Sequence, residues 1–63
     1  MIDSTKIREL RESRGMSTRA FARDAGISTE TLNAVEHGRR APSMTTLDKI
    51  AQALGVEVKD LLR

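Results

Sequence analysis

Residues 15–38 read GMSTRAFARDAGISTETLNAVEHG, and this stretch decides the fold. Ser17 and Ser28 each stand where a side-chain oxygen can accept the unpaired amides of a first helical turn. Each serine follows an apolar residue that has an apolar partner five positions later, the spacing of a hydrophobic staple. The two pairs are Met16 with Phe21 and Ile27 with Leu32. The spacing predicts helices over 18–25 and 29–37, with only three residues between them.

The same signals continue toward both ends of the chain. Further capping residues are Asp3, Ser43 and Glu57, and their staple pairs are Ile2 with Ile7, Pro42 with Leu47, and Val56 with Leu61. Glycines follow four of the helical segments, where a left-handed residue ends a helix at low cost. The pattern predicts an all-α fold of five helices, at residues 4–14, 18–25, 29–37, 44–54 and 58–62.

The second and third predicted helices, joined by a short turn containing Gly26, form a helix-turn-helix. No segment alternates apolar and polar residues as a strand does. The apolar residues at helical spacing predict the core. They are Ile7, Leu10, Phe21, Ala22, Ala25, Leu32, Val35, Leu47, Ile50, Ala51, Leu54, Val58, Leu61 and Leu62.

The length of 63 residues predicts a single domain, residues 1–63, with a small core. There is no cysteine, so disulfides and thiolate metal sites are excluded. The short apolar runs and the lack of a basic, apolar leader lead us to expect a cytoplasmic protein that does not enter a membrane. Phe21 is the one aromatic residue, which disfavours base-stacking recognition of single strands.

The sequence offers no catalytic or metal constellation. His37 is the one histidine, and three of the serines are explained as helix caps. No pair of carboxylates lies among apolar residues, where burial would separate their pKa values. We therefore expect no enzyme, no metal, no cofactor and no small-molecule ligand.

The outward face of helix 29–37 is short and polar. At 100° per residue it presents Glu30, Asn33, Ala34 and His37, with Thr29 and Thr31 at its edges. A helix with short side chains can lie deep in the major groove of DNA, which is about 12 Å wide.

Basic residues flank this helix, although the net charge is only +2. Arg39 and Arg40 follow it directly, and Arg19 and Arg23 lie on the preceding helix. The helix starts at Ser17-Thr18 and Ser43-Met44 add backbone amides suited to anions. These groups predict contacts to DNA phosphates; the alternative is that they are ordinary solvated charges.

Residues 7–62 resemble the Cro/phage-repressor type of helix-turn-helix domain, also called the xenobiotic-response-element type. The resemblance rests on Ile7-Arg8-Glu9-Leu10-Arg11, Gly15-Met16-Ser17, Phe21-Ala22, Ala25-Gly26-Ile27-Ser28, Leu32, Val35-Glu36-His37-Gly38, Pro42-Ser43, Leu47 and Ile50-Ala51-Gln52-Ala53-Leu54-Gly55-Val56. It implies a five-helix, lambda-repressor-like domain that binds double-stranded DNA as a homodimer and regulates transcription, most often as a repressor.

The resemblance also implies roles by position. Thr29, Glu30 and Ala34 align with base-contacting positions, beside Ser28 and Asn33, and Thr18, Arg39, Arg40 and Ser43-Met44 align with phosphate contacts. Arg11 and Glu36 are implied to form a partly buried ion pair. The family commonly has glutamine where this chain has Thr18, and the shorter threonine can replace that amide only in part.

Glu30 has two interpretations, because a carboxylate in the groove is repelled by phosphate. It could accept from a cytosine amine, or it could suit the positive end of the helix dipole. We favour the second.

Near the C-terminus, apolar residues exceed what one terminal turn can bury. These residues predict a dimer surface and are Val56, Val58, Leu61 and Leu62.

Two other functions remain open. The same scaffold could serve as a protein-interaction or antitoxin-like module, since fold alone does not establish function. It could also be a purely structural oligomerisation unit. Salt-dependent binding of duplex DNA would distinguish the DNA-binding function from the interaction module. Ultracentrifugation with and without DNA would separate the oligomerisation unit from both.

Overall fold

The computed structural model describes residues 1–63 and contains four α-helices followed by one 3-10 turn. The helices are α1 (Ser4–Ser13), α2 (Thr18–Ala25), α3 (Thr29–Glu36) and α4 (Met44–Leu54), and the turn is Val58–Leu61. The all-α prediction is confirmed, and each α-helix begins at the residue that the sequence predicts. Helices α1 and α3 each end one residue earlier than predicted.

The prediction of a fifth α-helix is wrong. Residues 58–61 make bonds of the i to i+3 type, Asp60 N to Glu57 O at 2.9 Å and Leu62 N to Lys59 O at 3.3 Å. A 3-10 turn is usual for so short a segment, since an α-helix needs several bonds to repay its first turn. The turn is closed by the Asp60 carboxylate, which accepts from Glu57 N at 3.0 Å.

The predicted caps set the starts of the four α-helices. The side chains of Asp3, Ser17, Ser28 and Ser43 each accept from the backbone amide three residues later, at 3.0 to 3.1 Å. Each bond satisfies an amide that the helix itself leaves free. The caps therefore act as predicted.

The turn between α2 and α3 depends on Gly26. Its φ of 77° lies in the left-handed region, where a Cβ would be strained. The reversal lets Ile27 N donate to Ala22 O at 3.0 Å, and Ser28 returns to extended backbone. Only three residues therefore separate α2 from α3, as the sequence predicts.

The core lies between all four helices and the 3-10 turn. The second member of every predicted staple pair is fully or almost fully buried. The core residues are Ile7, Phe21, Ala22, Ala25, Leu32, Val35, Leu47, Ile50, Ala51, Leu54 and Leu61. Staple spacing thus identifies the centre of the core as well as the helix starts.

The C-terminal leucines correct two predictions. Leu61 is 0% exposed, so it packs in its own chain and cannot form part of a dimer surface. Leu62 is 43% exposed, although it was predicted to face inward. The cause is the extended backbone of Leu62, which ends the turn and points successive side chains in opposite directions. Leu10 and Val58 are partly buried at the edge of the core.

Two backbone hydrogen bonds join the two ends of the chain. Asp3 N donates to Leu61 O and Arg63 N to Met1 O, both at 2.8 Å, so the two ends of the chain pair in antiparallel fashion at Ile2 and Leu62.

None of the helices has the length and apolar character needed to cross a lipid bilayer.

The neighbouring leucines provide a matched test of the packing. Leu61→Ala should lower the free energy of unfolding by about 2 to 5 kcal/mol, because it leaves a cavity in the core. Leu62→Ala should change it by less than about 1 kcal/mol, because the side chain is half exposed. Urea unfolding followed by circular dichroism measures both values. Equal losses would contradict the burial of Leu61.

Candidate nucleic-acid interface

Helix α3 presents its N-terminal half to solvent and buries its C-terminal half. Glu30 is exposed, and Thr29 and Asn33 are half-buried. Ser28 is exposed, but its hydroxyl is occupied by Thr31 N at 3.0 Å and by the Thr31 hydroxyl at 2.8 Å. The accessible groups on this helix are therefore short and polar, as the sequence predicts.

Ala34 departs from the predicted outward face. It is only 6% exposed, and its carbonyl accepts from Arg39 N at 2.9 Å, because the chain after α3 turns back at this level. The outward orientation predicted for Ala34 is therefore wrong, and its contact with a base stays a prediction. His37 lies at the C-cap of the helix, with Nδ1 2.8 Å from Asn33 O.

One open cleft of about 500 Å³ joins the starts of α2 and α3. It brings together three residues predicted to contact phosphate and two predicted to contact bases. Its lining residues are Ser17, Arg19, Ala20, Arg23, Ile27, Ser28 and Thr29. Both helices direct the positive ends of their dipoles and their free first-turn amides toward this region. We call this the α2–α3 cleft; it is a surface suited to an extended anion.

The other predicted phosphate contacts lie outside the α2–α3 cleft. Arg39 and Arg40 are exposed in the connection after α3, and Ser43 and Met44 are exposed at the start of α4. Thr18 is half-buried at the start of α2. The structure thus places the predicted cations in two groups, one on α2 and one after α3.

Arg11 and Glu36 form a bidentate ion pair between α1 and α3. Arg11 Nε lies 2.7 Å from Glu36 Oε2, and Nη2 lies 3.0 Å from Oε1. The side chains are 10% and 2% exposed. The hydrogen bond to Glu36 raises the pKa of the Arg11 guanidinium above its ordinary value, although burial opposes this.

The same guanidinium also holds the turn that leads into α2. Arg11 Nη1 donates to Met16 O at 2.9 Å, one residue before the cap of α2. A planar group with several fixed donors can make these three bonds at once, which the single point charge of lysine cannot. The pair therefore links α1, the start of α2 and the buried end of α3.

The model of the helix-turn-helix family HTH_3 matches residues 7–61. The chain belongs to this family. The resemblance to Cro/phage-repressor domains is thus confirmed over nearly all of the chain.

Curated relatives of this HTH_3 domain include the HTH-type transcriptional regulator DdrOP3 of Deinococcus deserti, 42% identical over 57 residues, which are 90% of this chain and 44% of the relative. Another is the cryptic phage CTXphi transcriptional repressor RstR of Vibrio cholerae, 34% identical over 94% of this chain and 53% of its own length. The chain therefore spans about half the length of these two relatives.

A solved structure agrees with the fold over the whole domain. The biofilm master regulator SinR of Bacillus subtilis, determined in complex with DNA, superimposes with a TM-score of 0.90 at 28% identity, covering 98% of this chain and all of the SinR chain.

Sequence reasoning missed two arginines of this HTH_3 domain. Arg14 Nη2 donates to Leu54 O at 2.6 Å, and Nη1 donates to Leu10 O at 3.0 Å, so Arg14 caps the ends of α1 and α4 together. Arg8 lines a second cleft beside the end of α3. No local spacing marks either role, since the partners are up to 40 residues apart.

Removing one member of the buried pair tests its contribution to the fold. Arg11→Ala should cost about 3 to 5 kcal/mol, because it leaves the Glu36 carboxylate buried without a partner. The melting temperature should fall by more than about 10 °C. Glu12→Ala, which removes an exposed carboxylate 4.0 Å from Arg11, should cost less than about 1 kcal/mol.

The double variant Arg11→Met/Glu36→Leu controls for packing. Apolar replacement of a whole buried pair is often neutral, so this variant should be more stable than Arg11→Ala alone. Thermal unfolding of the unmodified protein, the two single variants and the double variant provides the comparison. A loss in Arg11→Ala as small as that in Glu12→Ala would show that the pair contributes little.

Proposed function

We propose that residues 1–63 form the DNA-binding domain of a transcriptional regulator. This domain binds double-stranded DNA at specific sequences, and it is not an enzyme. The α2–α3 cleft carries the proposal, because it joins Arg19, Arg23 and two helix starts to the exposed face of α3. The regulators similar in sequence and the DNA complex of SinR support it.

The proposed mechanism assigns base reading to the N-terminal half of α3. An eight-residue helix is about 12 Å long and enters the major groove without long side chains in the way. Thr29, Glu30 and Asn33 are the accessible side chains that would reach base edges. Ser28 is occupied as a cap and is assigned to positioning the helix.

Phosphate contacts fix the domain on the duplex in this proposal. The α2 group consists of Ser17, Thr18, Arg19 and Arg23, and the second group of Arg39, Arg40, Ser43 and Met44. The two groups lie at different ends of α3, so they would engage the backbones on the two sides of one major groove. Such contacts carry affinity but little sequence information.

We further propose that the domain acts as a repressor. The similarity to the phage repressor RstR supports this assignment.

A symmetric homodimer would place two reading helices about 34 Å apart in successive major grooves. The apolar residues available for this contact are Val56, Val58 and Leu62, since Leu61 is buried. Leu62 is the most exposed of the three. A palindromic consensus in a binding-site selection from random DNA would be the signature of such a dimer.

Arginine variants in the α2–α3 cleft test the DNA-binding function. Arg19→Gln should weaken binding to every duplex by a similar factor, and should reduce the slope of log affinity against log salt by about one. Lys49→Gln removes the same charge from the exposed face of α4 and should change neither quantity. Fluorescence anisotropy of labelled duplexes at several salt concentrations measures both. A salt-independent affinity would contradict the proposal.

Glu30 offers a test of sequence specificity. Its exposed carboxylate is also the observation that favours the second candidate function, a protein-interaction module, over DNA binding. Glu30→Ala should tighten binding to random duplex DNA, because a repulsive charge leaves the groove. If Glu30 reads a base, selection from random DNA should show relaxed preference at one position of each half-site. If it only complements the helix dipole, the preferred site should stay unchanged. If neither the unmodified protein nor the Glu30→Ala variant bound any duplex, the result would favour the protein-interaction module.

A further inference from the structure

A second cleft, of about 680 Å³, lies on the side of the domain where the chain termini meet the end of α3. Its lining comes from the N-terminal segment, the first turns of α1, the end of α3, the following connection and the C-terminal residue. The lining residues are Met1, Ile2, Ser4, Thr5, Arg8, Glu36, His37, Gly38, Arg40, Ala41 and Arg63. We call this the terminal cleft.

The terminal cleft carries positive charge that the chain does not neutralise. Arg8 and Arg40 take part in none of the four ion pairs of the protein. Arg63 has only a 3.9 Å contact with Asp3. The one side-chain carboxylate in the lining, that of Glu36, has both oxygens engaged by Arg11. The guanidinium groups of Arg8 and Arg40 are therefore free of carboxylates, and that of Arg63 has only its long contact with Asp3.

The terminal cleft also has a free backbone edge. Ile2 pairs with Leu62 through bonds made by the flanking residues, Asp3 N to Leu61 O and Arg63 N to Met1 O. In such a pair the N–H and C=O of Ile2 point away from Leu62. Neither group forms a hydrogen bond within the chain. An extended segment laid beside Ile2 would satisfy both groups.

We propose that the terminal cleft is a docking site for an extended acidic segment of a partner protein. The segment would add beside Ile2 as a strand, and its alternate carboxylates would meet Arg8, Arg40 and Arg63. Backbone bonds supply affinity and alternate side chains supply specificity in this mode of recognition. A nucleic-acid backbone fits less well, because it has no amide and carbonyl pair for Ile2 and no use for the apolar side chains of Met1 and Ala41.

A segment docked in the terminal cleft would affect DNA binding through Arg40, and this effect rests on the proposed function. Arg40 is assigned both to the terminal cleft and to a phosphate contact. One guanidinium cannot serve a carboxylate and a phosphate fully at the same time. A docked acidic segment should therefore weaken DNA binding, whereas docking itself does not depend on DNA.

A fluorescein-labelled peptide of about eight residues, the length of an ordinary strand, tests the proposal directly. Glutamate and threonine alternate in the probe, and glutamine replaces glutamate in the control peptide. The acidic peptide should bind the intact protein saturably in fluorescence anisotropy, and the control should bind at least about tenfold more weakly. Equal binding of both peptides would overturn the proposal.

Protein variants locate the site. Arg8→Gln keeps a good helix former within α1 and should weaken peptide binding by about fivefold or more. It should leave duplex DNA binding unchanged, since Arg8 belongs to no assigned DNA contact. Lys49→Gln should alter neither. If Arg8→Gln and Arg63→Gln weakened DNA binding and peptide binding by the same factor, the cleft would be part of the nucleic-acid surface and the proposal would be wrong.

Peptide backbone variants separate strand addition from simple charge attraction. N-methylation of alternate residues along one edge of the peptide should abolish binding, and N-methylation along the other edge should not, because only one edge faces Ile2. Equal effects at both edges would contradict strand addition. If the unmodified protein binds duplex DNA but not the acidic peptide, only the docking site is refuted. If it binds the peptide but no duplex, only the proposed function is refuted.

Discussion

The ion pair between Arg11 and Glu36 fixes the geometry on which the proposed DNA-reading face depends. Helices of eight residues are not stable alone in water, so α2 and α3 take their positions from tertiary contacts. The apolar core holds them together, but apolar packing has little directionality. The Arg11 guanidinium supplies direction, because it bonds Glu36 at the end of α3 and Met16 O at the entry to α2. One planar group thus sets the relative orientation of both helices.

Burying this pair is costly, and the geometry shows how the cost is offset. Desolvation of two charges can exceed their attraction unless the remaining donors and acceptors are satisfied. Both carboxylate oxygens and three guanidinium nitrogens are bonded, and no buried side-chain nitrogen or oxygen lacks a partner. The arrangement therefore contributes mainly specificity of orientation, which suits a domain whose small core has little stability to spare.

Much of this fold could be predicted because its signals are local. A cap and a staple each involve residues three to five positions apart, so Ser17, Ser28 and Ser43 mark their helices without knowledge of the rest of the chain. Prediction failed where the answer depends on distant contacts. The bond from Arg14 to Leu54 joins residues 40 apart, so no local spacing indicates it. The resemblance to a family, not the spacing of residues, indicated the partner of Arg11.

The arginines show why net charge alone is a poor guide to function. Arg11 and Arg14 form hydrogen bonds within the chain. Arg8 and Arg40 line the terminal cleft and have no carboxylate partner. Glu36 lines the terminal cleft, but both of its carboxylate oxygens are bonded to Arg11. A ligand in the cleft would therefore bind the free guanidinium groups and leave the ion pair between Arg11 and Glu36 intact. Such a ligand would not reorient α3. It would act on DNA binding through charge alone, and its effect would diminish as salt screens the exposed arginines.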